Sequence, residues 1–315
     1  MIKKAVIIGL IFLLIMGLSG CKQKKETEKV KIENPFIGGT TGIIASFENL
    51  RPDVRDQGQD PFDIIIKLDN KGETDIAPQN IQVKLSGINP IEFGTTQANL
   101  IKNAQEESIA QKKTPEGTIT PSPPTFVEFL GLNYQQKITG TQITFPLKVD
   151  VCYAYKTRAV GKLCIRSNTL KQEEGVCQVT GEKPIYTSGA PVQIVNLKES
   201  ARAKNKIGFT FEVINSGGGS IYKKGLKCDK SKRQNENRVT IRVETNMPGL
   251  KCVGLTEKSP GIVEGETTLY AGSKLVSCSQ TTPINDFEQV IKITAEYDYE
   301  TSITDKITVK SSELI

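Results

Sequence analysis

The side chains that could carry chemistry in this 315-residue chain are of few types, because the sequence contains no histidine. Histidine is the commonest general base and transition-metal ligand, so Ser-His-Asp, Cys-His and histidine-ligated zinc sites are excluded. One Ser-x-x-Lys sequence, from Ser220 to Lys223, places a serine near a lysine that could activate it. The chain has no Ser-Asp-Asn or Lys-Thr-Gly partner motif, so a histidine-free hydrolase is the least favoured interpretation.

Four carboxylates lie close together between two predicted strands. They are Asp53, Asp56, Asp60 and Asp63. Oxygen ligands around the flexible Gly58 could hold Ca²⁺, but the spacing differs from that of an EF-hand and Arg55 would oppose the ion. A solvated loop is therefore the preferred interpretation, and we expect neither a metal nor a cofactor.

The strongest concentration of positive charge is the basic segment at 223–237. Its candidate binding residues are Lys223, Lys224, Lys230, Lys232 and Arg233. They could contact anionic headgroups, an acidic glycan or an acidic protein. The whole chain has a formal net charge of +6 with interspersed lysines and acids, whereas nucleic-acid binding requires a basic stripe. We therefore expect no nucleic-acid partner.

Residues 1–21 have the order of a secretory signal, with two lysines, an apolar run and small residues before Cys21. The sequence Leu-Ser-Gly-Cys resembles the lipobox of prokaryotic lipoproteins. This resemblance implies a signal peptide at 1–20, a lipid on Cys21, and a membrane-anchored chain facing the extracellular side or the periplasm. The alternative is an uncleaved transmembrane helix, but the apolar stretch is shorter than the roughly 20 residues that a bilayer core requires.

Six further cysteines are an even number, which in an exported chain indicates disulfides. They are Cys152, Cys164, Cys177, Cys228, Cys252 and Cys278. The favoured pairs are Cys164–Cys177 and Cys252–Cys278, with the other two undecided, although a hairpin could also place Cys152 opposite Cys164. Three cysteines in each half leave one over, so either one bridge joins the halves or two thiols stay free.

Strict alternation of apolar and polar residues dominates the chain beyond residue 36. Phe62, Ile64, Ile66 and Leu68 form one apolar face, and the odd positions at 143–155 form a longer one. Period two predicts half-buried β-strands and an all-β fold. Only the segment around 98–109 has a weakly amphipathic pattern that favours a helix.

The second half of the chain repeats the first. Residues 62–72 align with 207–217, and each block ends in Asn-x-Gly; further on, Tyr-x-Tyr-x-Thr at 153–157 aligns with 297–301. Matching blocks in the same order at nearly one offset indicate tandem copies. We expect the Asn-x-Gly residues to supply positive φ at a turn. We also expect each Tyr-x-Tyr strand to turn back as a hairpin, at 156–159 and at 300–303.

This organisation predicts two tandem immunoglobulin-like β-sandwich domains. The first spans 36–178 and contains a long polar insertion at 94–140, the second spans 190–315, and residues 21–35 form a flexible tether. The pattern Phe-x-Ile-x-Ile-x-Leu-x-Asn-x-Gly resembles CARDB-type adhesion modules of prokaryotic surface proteins. That resemblance implies the fold and only weakly implies adhesion. The whole chain also resembles archaeal surface lipoproteins, a likeness that names no function.

The resulting functional prediction is a non-enzymatic, lipid-anchored surface protein for envelope interaction or adhesion. Its expected partners are the membrane, through the lipid, and other envelope proteins or surface glycans. Binding would use sheet edges and the loops at 94–140 and 223–237. The alternative is a structural spacer or an accessory subunit of a surface assembly.

Overall fold

The structure is a computed structural model that describes residues 33–171 and 175–313. The predicted signal peptide at 1–20, the lipidation site Cys21 and the tether up to residue 32 lie outside the described residues. The chain divides into the units Met1–Glu33 and Asn34–Ile315, and the description below concerns the second. None of the helices found in the described ranges has the length and apolar character that crossing a membrane requires.

The described residues form twenty strands and three short 3₁₀-helices. The strands up to the middle of the chain are β1 (Ile43–Glu48), β2 (Asp53–Arg55), β3 (Phe62–Asn70), β4 (Ile81–Ser86), β5 (Ile101–Asn103), β6 (Lys112–Lys113), β7 (Ile119–Thr120), β8 (Thr125–Leu132), β9 (Gln142–Ile165) and β10 (Gly181–Glu182). The later strands are β11 (Ile185–Thr187), β12 (Val192–Ala203), β13 (Lys206–Asn215), β14 (Ser220–Tyr222), β15 (Arg238–Glu244), β16 (Leu250–Cys252), β17 (Thr256–Ser259), β18 (Ile262–Thr268), β19 (Ser273–Thr281) and β20 (Phe287–Lys310). The 3₁₀-helices are Pro78–Asn80, Gln97–Leu100 and Arg233–Asn235. The predicted all-β class is confirmed.

Two strands of 24 residues, β9 and β20, pair antiparallel along their whole length. The register begins with Gln142 opposite Lys310 and ends with Ile165 opposite Phe287. A ladder of this length extends about 80 Å. It forms the centre of a ten-stranded sheet with the main order β17-β18-β15-β20-β9-β4-β5. One strand of the central pair comes from each sequence repeat, so the two halves share this sheet.

The predicted hairpins within the two Tyr-x-Tyr strands are wrong. Residues 156–159 and 300–303 lie inside β9 and β20, where each residue pairs with the opposite strand. Neither segment contains Gly, Pro, Asn or Asp, the residues that favour a turn. The chain therefore continues straight and finds its partner strand in the other half.

Each half also contributes a second sheet. The first half forms β1-β3-β8, and the second forms β10-β12-β13-β19-β16. The two copies of the apolar repeat, β3 and β13, occupy equivalent middle positions between two partner strands. Buried residues of both second sheets and of the long sheet form a single hydrophobic core, as in a β-sandwich. The division into two domains at 36–178 and 190–315 stays a prediction.

The predicted polar insertion at 94–140 is largely part of the sandwich. It contains β5, β6, β7 and β8, and its residues Val127, Phe129 and Leu132 are buried in the core. The predicted helix around 98–109 is wrong, because this segment holds the end of a 3₁₀-helix followed by β5. Weak amphipathicity over so few residues does not outweigh pairing of β5 with β4.

Four buried tyrosines lie at the middle of the β9–β20 ladder. Tyr155 is opposite Tyr297, and Tyr153 is opposite Tyr299. Neighbouring ring centroids are 5.7 to 6.3 Å apart, and none of the four residues is more than 3% exposed. This tyrosine quartet packs aromatic surface from both repeats into one cluster, which stabilises their association.

The hydroxyl groups of this quartet position the second sheets. The Tyr153 hydroxyl accepts a hydrogen bond from the backbone N–H of Ile43, the first residue of β1, at 3.2 Å. The Tyr297 hydroxyl accepts one from the N–H of Val192, the first residue of β12, also at 3.2 Å. The two halves therefore use equivalent bonds between their Tyr-x-Tyr strand and their second sheet.

The glycines of the repeated Asn-x-Gly sequence allow tyrosine hydroxyls to pack closely against the backbone. The expectation that these glycines have positive φ is wrong. Neither Gly72 nor Gly217 has positive φ. A Cβ on Gly72 would collide with the hydroxyl of Tyr155, and one on Gly217 would lie 2.6 Å from the hydroxyl of Tyr299. Only glycine leaves room for these hydroxyls.

We expect Tyr153→Phe and Tyr297→Phe to lower the free energy of unfolding by similar amounts, about 1–2 kcal/mol each. Each change leaves a buried backbone N–H without its acceptor. Urea unfolding followed by circular dichroism measures the loss. Tyr270→Phe is the matched control, because Tyr270 is 72% exposed. A loss confined to one of the two buried tyrosines would contradict the equivalence of the halves.

Candidate functional site

The basic segment at 223–237 is attached to the long sheet by ion pairs. The Lys223 ammonium lies 2.9 Å from the Glu266 carboxylate, and that of Lys230 lies 2.8 Å from Glu300. Lys224 pairs with Glu296. Three of the five predicted binding cations are thus neutralised by carboxylates of the protein, and Lys223 is not available to activate Ser220. Lys232 and Arg233 remain exposed, with no ion pair to a described residue.

Backbone contacts hold the same segment in place. The Asp298 carboxylate on β20 accepts hydrogen bonds from the N–H groups of Gly225 and Lys227 at 3.0 and 2.7 Å. A disulfide joins Cys228 to Cys152 on β9. These contacts attach the basic segment to both central strands of the long sheet, β9 and β20.

Both disulfides favoured from the sequence, Cys164–Cys177 and Cys252–Cys278, occur in the structure. The two undecided cysteines, Cys152 and Cys228, form the third, so one bridge does join the halves. The alternative pairing of Cys152 with Cys164 required a hairpin. Because β9 is straight, Cys152 lies opposite Glu300 of β20 instead.

The four carboxylates considered for calcium each bind a different group. Asp53 pairs with Lys310, Asp60 pairs with Arg51, Asp63 accepts from the N–H of Gly131, and Asp56 accepts from Ser312 and from the N–H of Ile138. The hydrogen bonds from Ser312 and Ile138 hold the pKa of Asp56 well below its usual value. No group of three or more acidic or cysteine residues in the described ranges could hold a metal ion. The four carboxylates therefore do not converge on one point in the structure, and the preferred solvated loop is incorrect at Asp56, which is buried.

A cationic cleft of about 510 Å³ lies instead on the sheet β10-β12-β13-β19-β16. It is lined by Arg202, Lys206, Lys251, Cys252, Val253, Ser277, Cys278 and Ser279. The three cations are exposed, and none forms an ion pair with a described residue. No carboxylate is among the described residues that line it. The cleft therefore attracts anions.

Strand register brings the cleft residues together from distant positions in the sequence. Lys251 of β16 is opposite Ser279 of β19, and Gly208 of β13 is opposite the same serine on its other side. Gly208 has no side chain, and the side chain of Arg202 lies over it, since a Cβ there would be 2.9 Å from Arg202 Cγ. Arg202 thus reaches across β13 towards the serine hydroxyls.

The Cys252–Cys278 disulfide fixes the far wall of the cleft. The two cysteines are directly opposite each other in β16 and β19. The N–H of Val253 donates to the carbonyl of Ser277 at 2.9 Å, which continues the pairing beyond the bridge. Lys251 is therefore held next to the serines by a covalent link and by backbone hydrogen bonds.

The donors of the cleft suit oxyanion binding. An arginine guanidinium offers five N–H donors in a planar fork, each lysine offers three, and each serine hydroxyl offers one. Charge-assisted hydrogen bonds of this kind are stronger than neutral ones. The groups that the described residues of the cleft offer are therefore positive charges and hydrogen-bond donors.

Sequence reasoning missed this cleft. Its cations come from the two strands of the β12–β13 hairpin and from β16, and no local pattern connects them. The only signal was the alternating charge of Arg202, Lys204 and Lys206, which is also typical of an exposed hairpin end. The predicted Cys252–Cys278 pair could have indicated that β16 lies beside β19. It could not have indicated which side chains lie near Arg202.

Glu199, on the same strand as Arg202, is a buried carboxylate. It accepts a hydrogen bond from the Cys164 backbone N–H at 2.9 Å, and its carboxylate lies 3.2 Å from the Lys183 ammonium. Burial raises the pKa of Glu199 to about 7, although both partners oppose this shift. The carboxylate links β12 to the end of β9 and to the segment between the halves.

These features define a class: the described residues form an all-β, sandwich-type protein with three disulfides and a cationic cleft. No protein-family model matches the chain, and neither does any curated protein. A solved structure of the serine-rich repeat adhesion glycoprotein Srr1 from Streptococcus agalactiae shares 10% identity, covering 89% of this chain and 99% of that one, with a TM-score of 0.15. Another, containing manganese lipoxygenase of Gaeumannomyces graminis and part of zonadhesin of Komagataella pastoris, shares 10% identity over 86% and 93%, with a TM-score of 0.11. Scores this low carry no argument about this protein.

We expect stability to fall as the pH rises from about 4.5 to above 7, and Glu199→Gln to flatten this fall. The pKa of Glu199 is higher in the folded state than its ordinary 4.5, so the folded state binds the proton more tightly. The corresponding stability is present below the unfolded pKa and is lost as the pH passes the folded pKa, by at most about 3 kcal/mol. Urea unfolding between pH 4 and 8 measures this, with exposed Glu257→Gln as the control. An unchanged pH profile in Glu199→Gln would contradict the assignment.

We expect the double variant Cys152→Ser, Cys228→Ser to release the basic segment. Loss of this bridge removes its covalent attachment to β9 and costs about 2–4 kcal/mol of stability. Trypsin cleavage at the lysines of 223–233 should become faster under native conditions, as measured by mass spectrometry. The matched control Cys164→Ser, Cys177→Ser removes a bridge at another place and should leave this cleavage slow. Equal protection of the segment in both variants would show that the bridge does not hold it.

Proposed function

We propose that this protein is a non-enzymatic binding module of the cell envelope, exported and anchored by a lipid on Cys21, and acting in envelope interaction or adhesion. The observation that carries the proposal is the cationic cleft, whose three cations have no ion-pair partner among the described residues. Open clefts with unpaired charge are suited to recognising a charged partner. The basic segment at 223–237 is a secondary candidate, through Lys232 and Arg233.

The disulfides support the proposed location. Three bridges within the described residues are typical of proteins that fold in an oxidising compartment outside the cytoplasm. This agrees with the secretory signal expected at 1–20. The bridges also support a binding role, because two of them fix the basic segment and one wall of the cleft.

A structural spacer or accessory subunit is the second candidate function. The specific observation in its favour is the continuous β9–β20 ladder, which extends about 80 Å and joins both halves through one sheet. A stiff platform of this kind would suit a subunit that spans a fixed distance. The two candidates differ in whether the cleft binds material from outside the protein's own assembly.

Cross-linking on intact cells, followed by recovery under non-reducing conditions, tests the choice between the two. The binding proposal expects recovery of the protein with a lipid on Cys21 and without a stoichiometric neighbour. A single dominant neighbour in equal amount would contradict it and favour the accessory subunit. Cys21→Ser should be recovered without the lipid, which mass spectrometry of the N-terminal peptide detects, because it removes the thiol that would carry the lipid.

Isolated envelopes provide the direct binding test. The triple variant Arg202→Gln, Lys206→Gln, Lys251→Gln should bind them at least tenfold more weakly than the unaltered chain. The control Lys84→Gln, Lys292→Gln, Lys306→Gln removes the same charge from exposed lysines of the long sheet that form no ion pair with a described residue. Equal losses in both variants would mean that net charge, and not the cleft, drives the association.

A further inference from the structure

We infer that the cationic cleft is a binding site for a phosphate-bearing polymer of the envelope. This inference rests on the proposed function, since it names the ligand class of the same cleft. Three properties of the cleft carry it: the number of donors, their arrangement on separate strands, and the open shape. Each narrows the choice of anion.

The number of donors exceeds what a lone carboxylate can accept. Arg202, Lys206, Lys251, Ser277 and Ser279 together offer about a dozen N–H and O–H donors, whereas one carboxylate accepts about four hydrogen bonds. A phosphate group in a polymer carries two non-bridging and two bridging oxygens, and its non-bridging oxygens match the planar fork of arginine in a bidentate way. Serine hydroxyls are further common partners of phosphate oxygens.

The cations also lie on three strands rather than at one point. Arg202 belongs to β12, Lys206 to β13 and Lys251 to β16, so the positive charge is distributed across the sheet. Gly208 lets the Arg202 side chain bridge part of this distance. A ligand that contacts all three therefore presents more than one anionic group, as a polymer with repeated phosphates does.

The shape of the cleft agrees with a polymer. Its volume of about 510 Å³ exceeds what a single phosphate ion fills and lies within the range of ordinary ligand sites. The cleft is open to solvent along the sheet surface, so a chain can enter and leave it without being enclosed. The exposed Val253 adds an apolar contact for the linking units between phosphates.

The disulfide gives the site its rigidity. Cys252 and Cys278 hold the backbone of Lys251 beside that of Ser279, so these two strand segments need not be ordered when the ligand arrives. Preorganised donors lose less conformational entropy on binding. No carboxylate of the described residues forms an ion pair with these cations, so a bound anion displaces none of those carboxylates.

The test is a titration of the full-length protein with long-chain polyphosphate, followed by fluorescence anisotropy or calorimetry. Polyglutamate of similar charge and inorganic phosphate are titrated in parallel. We expect polyphosphate to bind at least tenfold more tightly than polyglutamate, and inorganic phosphate to bind weakly because it reaches too few cations. The logarithm of the association constant should fall with the logarithm of the salt concentration with a slope of about −2, as for three released counterions on a single-stranded polyanion.

Two variants separate a built site from general charge attraction. Arg202→Lys keeps the charge but loses the bidentate fork, and should weaken polyphosphate binding several-fold. The triple glutamine variant of the cleft should lose at least tenfold, while the triple glutamine control at Lys84, Lys292 and Lys306 should bind like the unaltered protein. Circular dichroism verifies that each variant is folded.

The outcomes distinguish this inference from the proposed function. Equal binding of polyglutamate and polyphosphate, or equal loss in cleft and control variants, would overturn the assignment of phosphate. If polyphosphate fails to bind while the cleft variant still loses envelope binding, the ligand class is wrong and the proposed function stands. If polyphosphate binds at the cleft but envelopes do not, the ligand class stands and the proposed function fails. Vesicles of phosphatidylglycerol, tested alongside, assign the phosphate to a lipid surface instead if they bind more tightly than polyphosphate.

Discussion

The pairing of β9 with β20 is the constraint on which the rest of this structure depends. The two strands pair over 24 residues, one from each sequence repeat, and the tyrosine quartet buries aromatic rings at their centre. Hydroxyls of the same quartet bind the first residues of β1 and β12, so the central strands also determine where both second sheets begin. Close packing of Gly72 and Gly217 beneath the other two hydroxyls follows from this arrangement. Backbone pairing, aromatic packing and hydroxyl hydrogen bonds thus all occur at the middle of the β9–β20 ladder.

Most of the buried or central carboxylates attach peripheral segments to this framework. Glu73 accepts the N–H groups of Ile37, Gly38 and Gly189, which fastens the first described residues and the segment between the halves to the same side chain. Asp298 holds the basic segment in a similar way. Backbone N–H groups outside a strand ladder need another hydrogen-bond acceptor, and a carboxylate that accepts several of them fulfils this need. The cationic cleft differs because its charges form no ion pair with any described carboxylate, and this contrast supports its proposed role in binding.

The sequence was sufficient for the strands and insufficient for their long-range partners. Alternation predicted β3 and β13 because side-chain direction in a strand is a local property. The sequence also shows that residues 156–159 lack turn-favouring residues, but it could not show which strand β9 pairs with, because that partner lies far away in the chain. The Asn-x-Gly signal was ambiguous in the same way: a glycine permits positive φ or close approach, and only the position of Tyr155 decides between them. The cleft was missed because three strands must be in register before Arg202 and Lys251 become neighbours.

Hydrogen exchange across a urea series tests most directly whether the shared ladder makes the two halves one cooperative unit. The account predicts that amides of β9 and β20 are the slowest to exchange and that their protection is lost in a single step with the same midpoint and slope. Amides of β3 and β13 should lose protection at or before that step. Two separate transitions, one for 36–178 and one for 190–315, would show two independent domains that merely lie side by side and would contradict the account.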